Sequence, residues 1–363
     1  MALPKKKILV VDDSALMRRV LCDIIESDDR FEVADKAVNG LEAFDLISRN
    51  KYDAVVLDVN MPKMNGIELL NELRKYKIKA RVMMASTDTK EGAQTTLDAL
   101  ELGALDFIHK PDNAYQCKEG VFPADFLRIL GGVVISNYPV FETKEKIQEE
   151  KVKNTKVLEI IKKTADKIPG NKIVAIASST GGPKALQSVI PRLPANLDAP
   201  VLLVQHMPIG FTASLADRLN NLSEIKVVEA GEGTKIEKGT VYLAPGGKHM
   251  NLVTSSAGTY SIHLSDEPSR EGVKPCANYM FESLRGSNFD NIVCVVMTGM
   301  GADGTEGIKN LKEKKKIHVI TQSQDTCTIY GMPKAVDNAG LSNQQAPLDD
   351  LAQEIILKVG ITK

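Results

Sequence analysis

The sequence predicts an α/β protein with two doubly wound domains joined by a charged linker. Two stretches of the chain alternate short apolar strand patterns with amphipathic helix patterns. Repeated βα units of this kind form mostly parallel sheets that are covered by helices on both faces. Between them, residues 142–168 are dominated by Lys and Glu. We therefore predict domains over 1–137 and 171–363 and a linker over 138–170, with a surface helix as the alternative for the charged stretch.

The first domain is predicted to be a (βα)5 unit, because five strand patterns alternate with five helix patterns. The predicted strands are Ile8–Val11, Phe31–Ala34, Ala54–Leu57, Val82–Ala85 and Phe107–Ile108, and the predicted helices are Leu16–Glu26, Leu41–Arg49, Gly66–Lys75, Ala93–Leu102 and Phe122–Ile135.

Composition narrows the classes of function. The 363 residues carry a formal net charge of −1, which argues against the basic face that nucleic-acid binding requires. No apolar run approaches the ~20 residues of a membrane span, so we expect no membrane insertion. The five cysteines are scattered and lack zinc-ligand spacing, which favours a reduced, cytoplasmic location. We expect a monomer.

Acidic residues follow two strands of the first domain. Asp12 and Asp13 come after the first strand pattern, and Asp58 ends the third. Three carboxylates at one sheet edge repel one another unless a cation neutralises them, and all-oxygen ligands suit Mg²⁺. Ser86 and Lys110 end two further strands, where a hydroxyl and an ammonium would contact a phosphoryl group on Asp58.

This order of residues, with DVNMPKMNG over 58–66, resembles the receiver domain of bacterial response regulators over residues 5–130. The resemblance implies that Asp58 accepts the phosphoryl group and that Asp12 and Asp13 bind Mg²⁺ with it. It also implies that Ser86 is the switch hydroxyl and Lys110 the invariant lysine. Asn60 stands where the family commonly has an acidic residue, so the phosphoryl lifetime is expected to differ.

In the second domain, strand patterns resume at Lys172, and sites in doubly wound sheets form at the carboxyl ends of strands. The patterns are Ile173–Ile176, Val201–Val204, Val241–Leu243, Ile292–Met297 and Ile317–Ile320. Ser179 follows the first of them, and Gly181, Gly182 and Pro183 lead into a helix pattern. Turn amides at a helix N-terminus stabilise an anion, as the oxyanion formed at a nucleophilic serine requires. A phosphate-binding turn is the alternative, although nucleotide-binding signatures are missing from SSTGGP.

A nucleophilic serine needs a base and an orienting carboxylate. His206 directly follows the strand pattern VLLVQ and is the favoured base, and His249 is the runner-up. Asp303 lies in the glycine-rich loop TGMGADG and is the favoured carboxylate, whereas Asp266 and Asp325 are weaker candidates.

The combination resembles the CheB-type chemotaxis methylesterases across both domains. That resemblance implies that Ser179 is the nucleophile, His206 the general base and Asp303 its partner, with the backbone amides of Thr180 and Met300 as the oxyanion hole. The segments that carry it are SSTGGP (178–183), QHMPIGFTASLADRL (205–219), YLAPGGKHM (242–250), MTGMGADG (297–304) and YGMPKA (330–335).

The resemblance also implies an activity and partners. The expected reactions are hydrolysis of glutamyl methyl esters and deamidation of glutamine on methyl-accepting chemoreceptors, in chemotaxis adaptation. A chemotaxis histidine kinase is the expected phosphodonor, with Mg²⁺ at the receiver site and no cofactor for the esterase. Two alternatives stay open, a receiver fused to a nucleotide- or phosphate-binding domain and a non-catalytic regulator that binds receptor or adaptor proteins.

Two departures from the family pattern lie in the second domain. Ser178 replaces a common alanine and places a competing hydroxyl beside Ser179, but neighbouring strand side chains point in opposite directions. The segment KPCANYMF, residues 274–281, replaces a sequence that is usually similar to Pro-Ser-Val-Asp. We expect it to affect substrate contacts and local packing rather than the triad.

Overall fold

The computed structural model describes residues 4–87, 90–111, 113, 117, 120–137, 168–255 and 258–362. The chain divides into two compact units, Met1–Phe141 and Glu142–Lys363. The predicted linker over 138–170 lies outside the described residues apart from its last three positions. Every helix in the described part of the chain is too short or too polar to span a bilayer.

The N-terminal unit alternates strands and helices. Its elements are β1 (Lys6–Val11), α1 (Ala15–Glu26), β2 (Phe31–Ala37), α2 (Gly40–Arg49), β3 (Ala54–Asp58), α3 (Gly66–Lys75), β4 (Val82–Thr87), α4 (Lys90–Leu102), β5 (Asp106–Lys110) and α5 (Phe122–Ile135). The strands pair in parallel in the order β2-β1-β3-β4-β5. Every residue of β3 is buried, as expected where helices cover both faces of a sheet. The predicted (βα)5 arrangement is confirmed.

Local signals fix the loops at the carboxyl edge of this sheet. The Ser14 hydroxyl accepts a hydrogen bond from the Met17 amide and caps α1, while Asn65 and Glu68 form a capping box at the start of α3. Each cap satisfies main-chain amides that a helix start leaves without partners. A Cβ at Gly66 would lie 2.4 Å from the Asp58 carbonyl oxygen. The glycine therefore lets α3 begin directly against the end of β3.

The C-terminal unit is a larger α/β domain. Its elements are β6 (Lys172–Ser178), α6 (Gly182–Val189), β7 (Val201–Gln205), α7 (Phe211–Leu222), β8 (Lys226–Glu229), β9 (Thr240–Leu243), β10 (His249–Thr254), β11 (Tyr260–Ser265), α8 (Ala277–Ser283), β12 (Asn291–Val296), α9 (Thr305–Lys312), β13 (Ile317–Gln322), α10 (Met332–Asn338), β14 (Gln344–Ala346) and α11 (Leu351–Val359), with short 3₁₀ turns between some of them. Seven strands form a parallel sheet in the order β14-β13-β12-β6-β7-β9-β8, and β10 pairs with β11 in an antiparallel hairpin.

The central strands of this sheet are buried on both faces. Ala175, Leu202 and Cys294 belong to one apolar cluster that includes Phe281 of α8 and Leu311 of α9. The alternate positions of β6, which point to the other face, are also fully buried. The predicted mostly parallel fold is confirmed. The sequence patterns do not identify β8 and β14, which are the short, more polar strands at the two edges of the sheet.

The strand order places three strand ends side by side. β6 lies between β7 and β12, and the register pairs Ser178 with Gln205 and Ala177 with Val296. Residues that follow these strands therefore meet at one edge of the sheet, as the rule for open α/β sheets predicts.

Candidate functional sites

Ser179 lies in the tight turn between β6 and α6 and is 4% exposed. Its amide donates to the Thr298 carbonyl oxygen at 3.0 Å, and its own carbonyl accepts from Gly182 at 2.7 Å. A Cβ at Gly299 would lie 2.7 Å from the Ser179 Cβ. Glycine at position 299 thus allows the loop after β12 to pass directly beside the serine.

The neighbouring serine has a different environment. The Ser178 hydroxyl is fully buried and donates to Gln205 Oε1 at 2.7 Å. The Gln205 amide nitrogen in turn donates to the carbonyl oxygens of Ser179 at 2.9 Å and His206 at 3.1 Å. Gln205 therefore links the two predicted catalytic residues through their main chains, and the Ser178 hydroxyl orients it.

His206 is held by a carboxylate. Its Nε2 lies 2.7 Å from Asp303 Oδ2, and the two side chains are 8% and 3% exposed. Its main-chain amide donates to the Ser178 carbonyl oxygen at 3.1 Å, next to Ser179 in the chain. The Nδ1 atom is buried and has no hydrogen-bond partner among the described residues. The ring therefore donates from Nε2 to Asp303 and keeps Nδ1 as an acceptor.

Asp303 is surrounded by donors. Oδ1 accepts from the Cys276 thiol at 3.0 Å and the Asn278 amide at 2.9 Å. Oδ2 accepts from the Ala277 amide at 2.6 Å as well as from His206. Burial alone would raise the pKa of Asp303, but these hydrogen bonds and the nearby imidazole hold the pKa below its usual value. The carboxylate is therefore charged at neutral pH.

The alternative base and carboxylates are occupied elsewhere or exposed. His249 is fully buried, with Nε2 against the Pro268 carbonyl oxygen at 3.2 Å and Nδ1 accepting from the Cys276 amide at 3.1 Å. Asp266 pairs with the Lys248 ammonium at 2.5 Å. Asp325 is exposed in a 3₁₀ turn.

Of the two predicted oxyanion-hole residues, Thr180 follows Ser179 in the chain and Met300 follows Gly299, which lies beside Ser179. Thr180 is buried, and its carbonyl oxygen accepts from the Thr298 hydroxyl at 3.0 Å. Met300 follows Gly299, whose carbonyl oxygen accepts from the Met332 amide at 2.8 Å. These bonds fix the main chain around both residues, and the role of their amides stays a prediction.

In the N-terminal unit, carboxylate oxygens of Asp12, Asp13 and Asp58 all lie within 4.8 Å of one another. The Lys110 ammonium donates to Asp58 at 2.7 Å and to Asp12 at 3.0 Å. Burial raises the pKa of Asp58; Lys110 opposes this rise, and the Asp12 carboxylate adds to it. Ser86, on the adjacent strand β4, is buried.

Comparison with known proteins matches both units to families. Residues 174–355 match the model of the CheB methylesterase and residues 8–121 that of the response regulator receiver domain. A protein-glutamate methylesterase/protein-glutamine glutaminase of Bacillus subtilis is 41% identical over 355 residues, covering 96% of this chain and 97% of the relative. One from Syntrophomonas wolfei is 40% identical, covering 98% of this chain and 99% of the relative. This chain belongs to the CheB methylesterase family.

A solved structure supports the same assignment for the C-terminal unit. The CheB methylesterase catalytic domain of Thermotoga maritima is 38% identical, with a TM-score of 0.50, and covers 52% of this chain and 98% of that structure. In the other unit, the receiver domain implies a Mg²⁺ site. The three clustered carboxylates supply the all-oxygen donors that such an ion prefers.

The segment 274–281, which departs from the CheB pattern, contacts a residue of the predicted triad, because three of its residues donate directly to Asp303. The predicted pairing of His206 with Asp303 is nevertheless intact. The sequence did not single out Gln205. A polar residue at the end of an otherwise apolar strand is the signal that would have identified it.

Proposed function

We propose that this chain is a phosphorylation-regulated protein-glutamate methylesterase that also deamidates glutamine, with Ser179, His206 and Asp303 as its triad. The main support is the state of His206. Nε2 lies 2.7 Å from Asp303 Oδ2, while Nδ1 is buried and has no partner among the described residues. One nitrogen of the imidazole is hydrogen-bonded to a carboxylate, and the other is available to accept a proton next to the turn that holds Ser179. A general base in a serine hydrolase has this arrangement.

The proposed reaction passes through an acyl-enzyme. Ser179 Oγ attacks the γ-carbonyl carbon of a glutamyl methyl ester while His206 Nδ1 takes its proton. The amides of Thr180 and Met300 stabilise the oxyanion, and methanol leaves with the proton from His206. Water, deprotonated by His206, then attacks the acyl carbon, which releases glutamate and restores Ser179. With a glutamine side chain the leaving group is ammonia.

Asp303 keeps the imidazole in one tautomer and balances its positive charge after it has taken the proton. Because its pKa lies below the usual value, it stays ionised in that step. Its four hydrogen bonds also limit its movement, which preserves the orientation of the His206 ring.

The N-terminal unit is proposed to control this site. Residues 1–137 would form the receiver, 138–170 the linker and 171–363 the catalytic domain. Asp58 would take the phosphoryl group from a chemotaxis histidine kinase, with Mg²⁺ at Asp12, Asp13 and Asp58 and with Ser86 and Lys110 contacting the phosphoryl oxygens. The substrates would be glutamyl methyl esters and glutamines of methyl-accepting chemoreceptors in the cytoplasm.

Methanol release from methylated receptor membranes tests this proposal. Wild type, Ser179→Ala and Ser178→Ala would each be assayed with and without a small phosphodonor and Mg²⁺. We expect release by wild type that rises with the phosphodonor, background release by Ser179→Ala, and retention of most activity by Ser178→Ala, which loses only the hydrogen bond to Gln205.

The two serine variants and wild type show which part of the proposal is wrong if the expected result is not obtained. Unchanged release by a folded Ser179→Ala protein would overturn the nucleophile assignment. Loss of release only in Ser178→Ala would identify the neighbouring hydroxyl as the nucleophile. Absence of release by wild type would overturn the esterase proposal itself.

A further inference from the structure

We infer that Cys276 is a positioning residue of the catalytic site, whose thiol donates a hydrogen bond to Asp303 and thereby weakens the hold of this carboxylate on the protonated His206. The inference rests on the proposed function, because it assigns a role within the same triad. It adds a group from outside the three triad residues that acts on the imidazole through the carboxylate.

The first observation is the contact itself. Cys276 Sγ lies 3.0 Å from Asp303 Oδ1, and the cysteine is fully buried. Burial and the adjacent carboxylate raise the pKa of the Cys276 thiol far above its usual value. The sulfur therefore keeps its proton throughout the range in which the triad works, and that proton points to the carboxylate oxygen as a donor.

The second observation is that His249 holds the main chain of Cys276 in place. The Cys276 amide donates to His249 Nδ1 at 3.1 Å, and His249 Nε2 meets the Pro268 carbonyl oxygen at 3.2 Å. The His249 ring also packs against the Tyr279 ring, with centroids 4.5 Å apart. Burial lowers the pKa of His249, so the ring stays neutral and keeps Nδ1 as an acceptor. His249 thus supports Cys276 and has no nitrogen left for Ser179.

The third observation is the charge balance at Asp303. Among the described residues, the titratable groups that face this carboxylate are His206 and Cys276, and the remaining contacts are main-chain amides. Each hydrogen bond that the Asp303 carboxylate accepts leaves less of its negative charge for the bond with His206. A protonated imidazole is held less tightly by a carboxylate that already accepts hydrogen bonds from several donors.

Removal of the thiol should therefore change the pH dependence of the reaction as well as its rate. In Cys276→Ala the carboxylate has one donor fewer, so the protonated form of His206 gains stability. The acid limb of kcat/KM should move to higher pH by about 0.5 unit. Because Asp303 is also less well fixed, kcat should fall by about tenfold.

The experiment measures methanol release by the full chain, with phosphodonor and Mg²⁺, across the acid limb. It compares wild type with Cys276→Ala, with Cys276→Ser, and with Cys294→Ala as the matched control. Cys294 is another fully buried cysteine of the same unit, on β12, and only burial raises the pKa of its thiol. Cys294→Ala removes the same atom from the core without touching Asp303.

We expect the acid limb to move upward in Cys276→Ala alone, and to return to within about 0.1 unit of wild type in Cys276→Ser, which restores a donor. An unchanged acid limb in Cys276→Ala, with or without a lower rate, would overturn the inference and leave Cys276 a packing residue. An equal movement in Cys294→Ala would overturn it as well. Absence of methanol release by wild type would instead overturn the proposed function, and this inference with it.

Discussion

Each unit holds a buried aspartate at the carboxyl edge of a parallel sheet, but the two charges are balanced in different ways. Asp303 receives an imidazole, a thiol and two main-chain amides, all from the chain itself. Asp58 receives the Lys110 ammonium and one amide, while Asp12 and Asp13 bring two more carboxylates within 4.8 Å. One carboxylate is fully satisfied by the protein, and the other lies in a cluster with excess negative charge.

This difference agrees with the two roles proposed for these aspartates, a triad carboxylate for Asp303 and a phosphorylation switch for Asp58. A triad carboxylate acts during every turnover and must be charged and fixed beforehand, because reorganisation during the reaction would raise the barrier. A switch must respond to an external ion or group, and the excess negative charge of the Asp58 cluster is charge that a bound Mg²⁺ would neutralise. The comparison predicts that substitutions at Asp303 lower the rate of ester hydrolysis itself. Substitutions at Asp58 should instead change how that rate responds to phosphodonor and Mg²⁺.

The largest effect is expected from Asp303→Asn. An amide presents one acceptor oxygen and an NH₂ group, so it cannot accept all four donors, and it removes the charge that balances the protonated His206. We expect kcat to fall by about 10⁴-fold, measured as methanol release. Asp325→Asn, at an exposed position of the same unit, is the matched control and should behave as wild type. A folded Asp303→Asn protein with near-normal kcat would show that the carboxylate is structural.

Chelation of Mg²⁺ should have a narrower effect. With EDTA in place of Mg²⁺, the phosphodonor should no longer raise methanol release, while basal release stays as it is, because the esterase residues involve no metal in the proposed reaction. Asp13→Asn should increase the Mg²⁺ concentration needed for stimulation, since it removes one carboxylate of the cluster. Asp45→Asn, at an exposed position on α2, should not. Stimulation that persists in EDTA would contradict a metal-dependent switch.

The predicted residues of both sites show which features of the molecule can be found from the sequence alone. Ser179, His206, Asp303, Asp12 and Asp58 could all be selected because parallel sheets collect polar residues at the carboxyl ends of apolar strands, and each of them follows or ends such a strand. The strands themselves were recognisable where both faces are buried. β8 and β14 were missed because edge strands are short and partly polar, so they carry little apolar pattern.

The supporting contacts could not be predicted in this way. The Cys276 thiol and Asp303 are 27 positions apart in the chain, and Gln205 reaches the Ser179 carbonyl oxygen across a strand pair. Such contacts depend on how loops pack over the sheet edge, which no local pattern encodes. The departure from the family pattern at 274–281 drew attention to this region, but only the structure shows that it contacts Asp303.

The smallest expected effects concern stability, and they should have opposite signs in the two units. Without Mg²⁺, Asp58→Asn should stabilise the N-terminal unit by about 1 kcal/mol, because it removes one charge from a cluster with excess negative charge. Asp303→Asn should destabilise the C-terminal unit by about 3 kcal/mol, because it leaves buried donors unsatisfied. Hydrogen exchange of peptides from β3 and β12, followed by mass spectrometry, reports each unit separately. Destabilisation by Asp58→Asn would contradict the proposed charge excess.

The pH dependence of stability gives a second test of the charge on Asp303. Its pKa in the folded chain is lowered from the ordinary value of 3.8, so the unfolded chain binds a proton more readily than the folded one. The stability that this charge contributes is therefore fully present above pH 3.8 and is lost as the pH falls through the lower folded-state pKa. The cost of Asp303→Asn, read from exchange at β12, should be constant above that pH and shrink below it. If the loss of stability caused by Asp303→Asn does not change in acid, the charge of Asp303 contributes nothing to the stability of the fold. Its hydrogen bonds would then stabilise the fold equally well with a neutral carboxyl group.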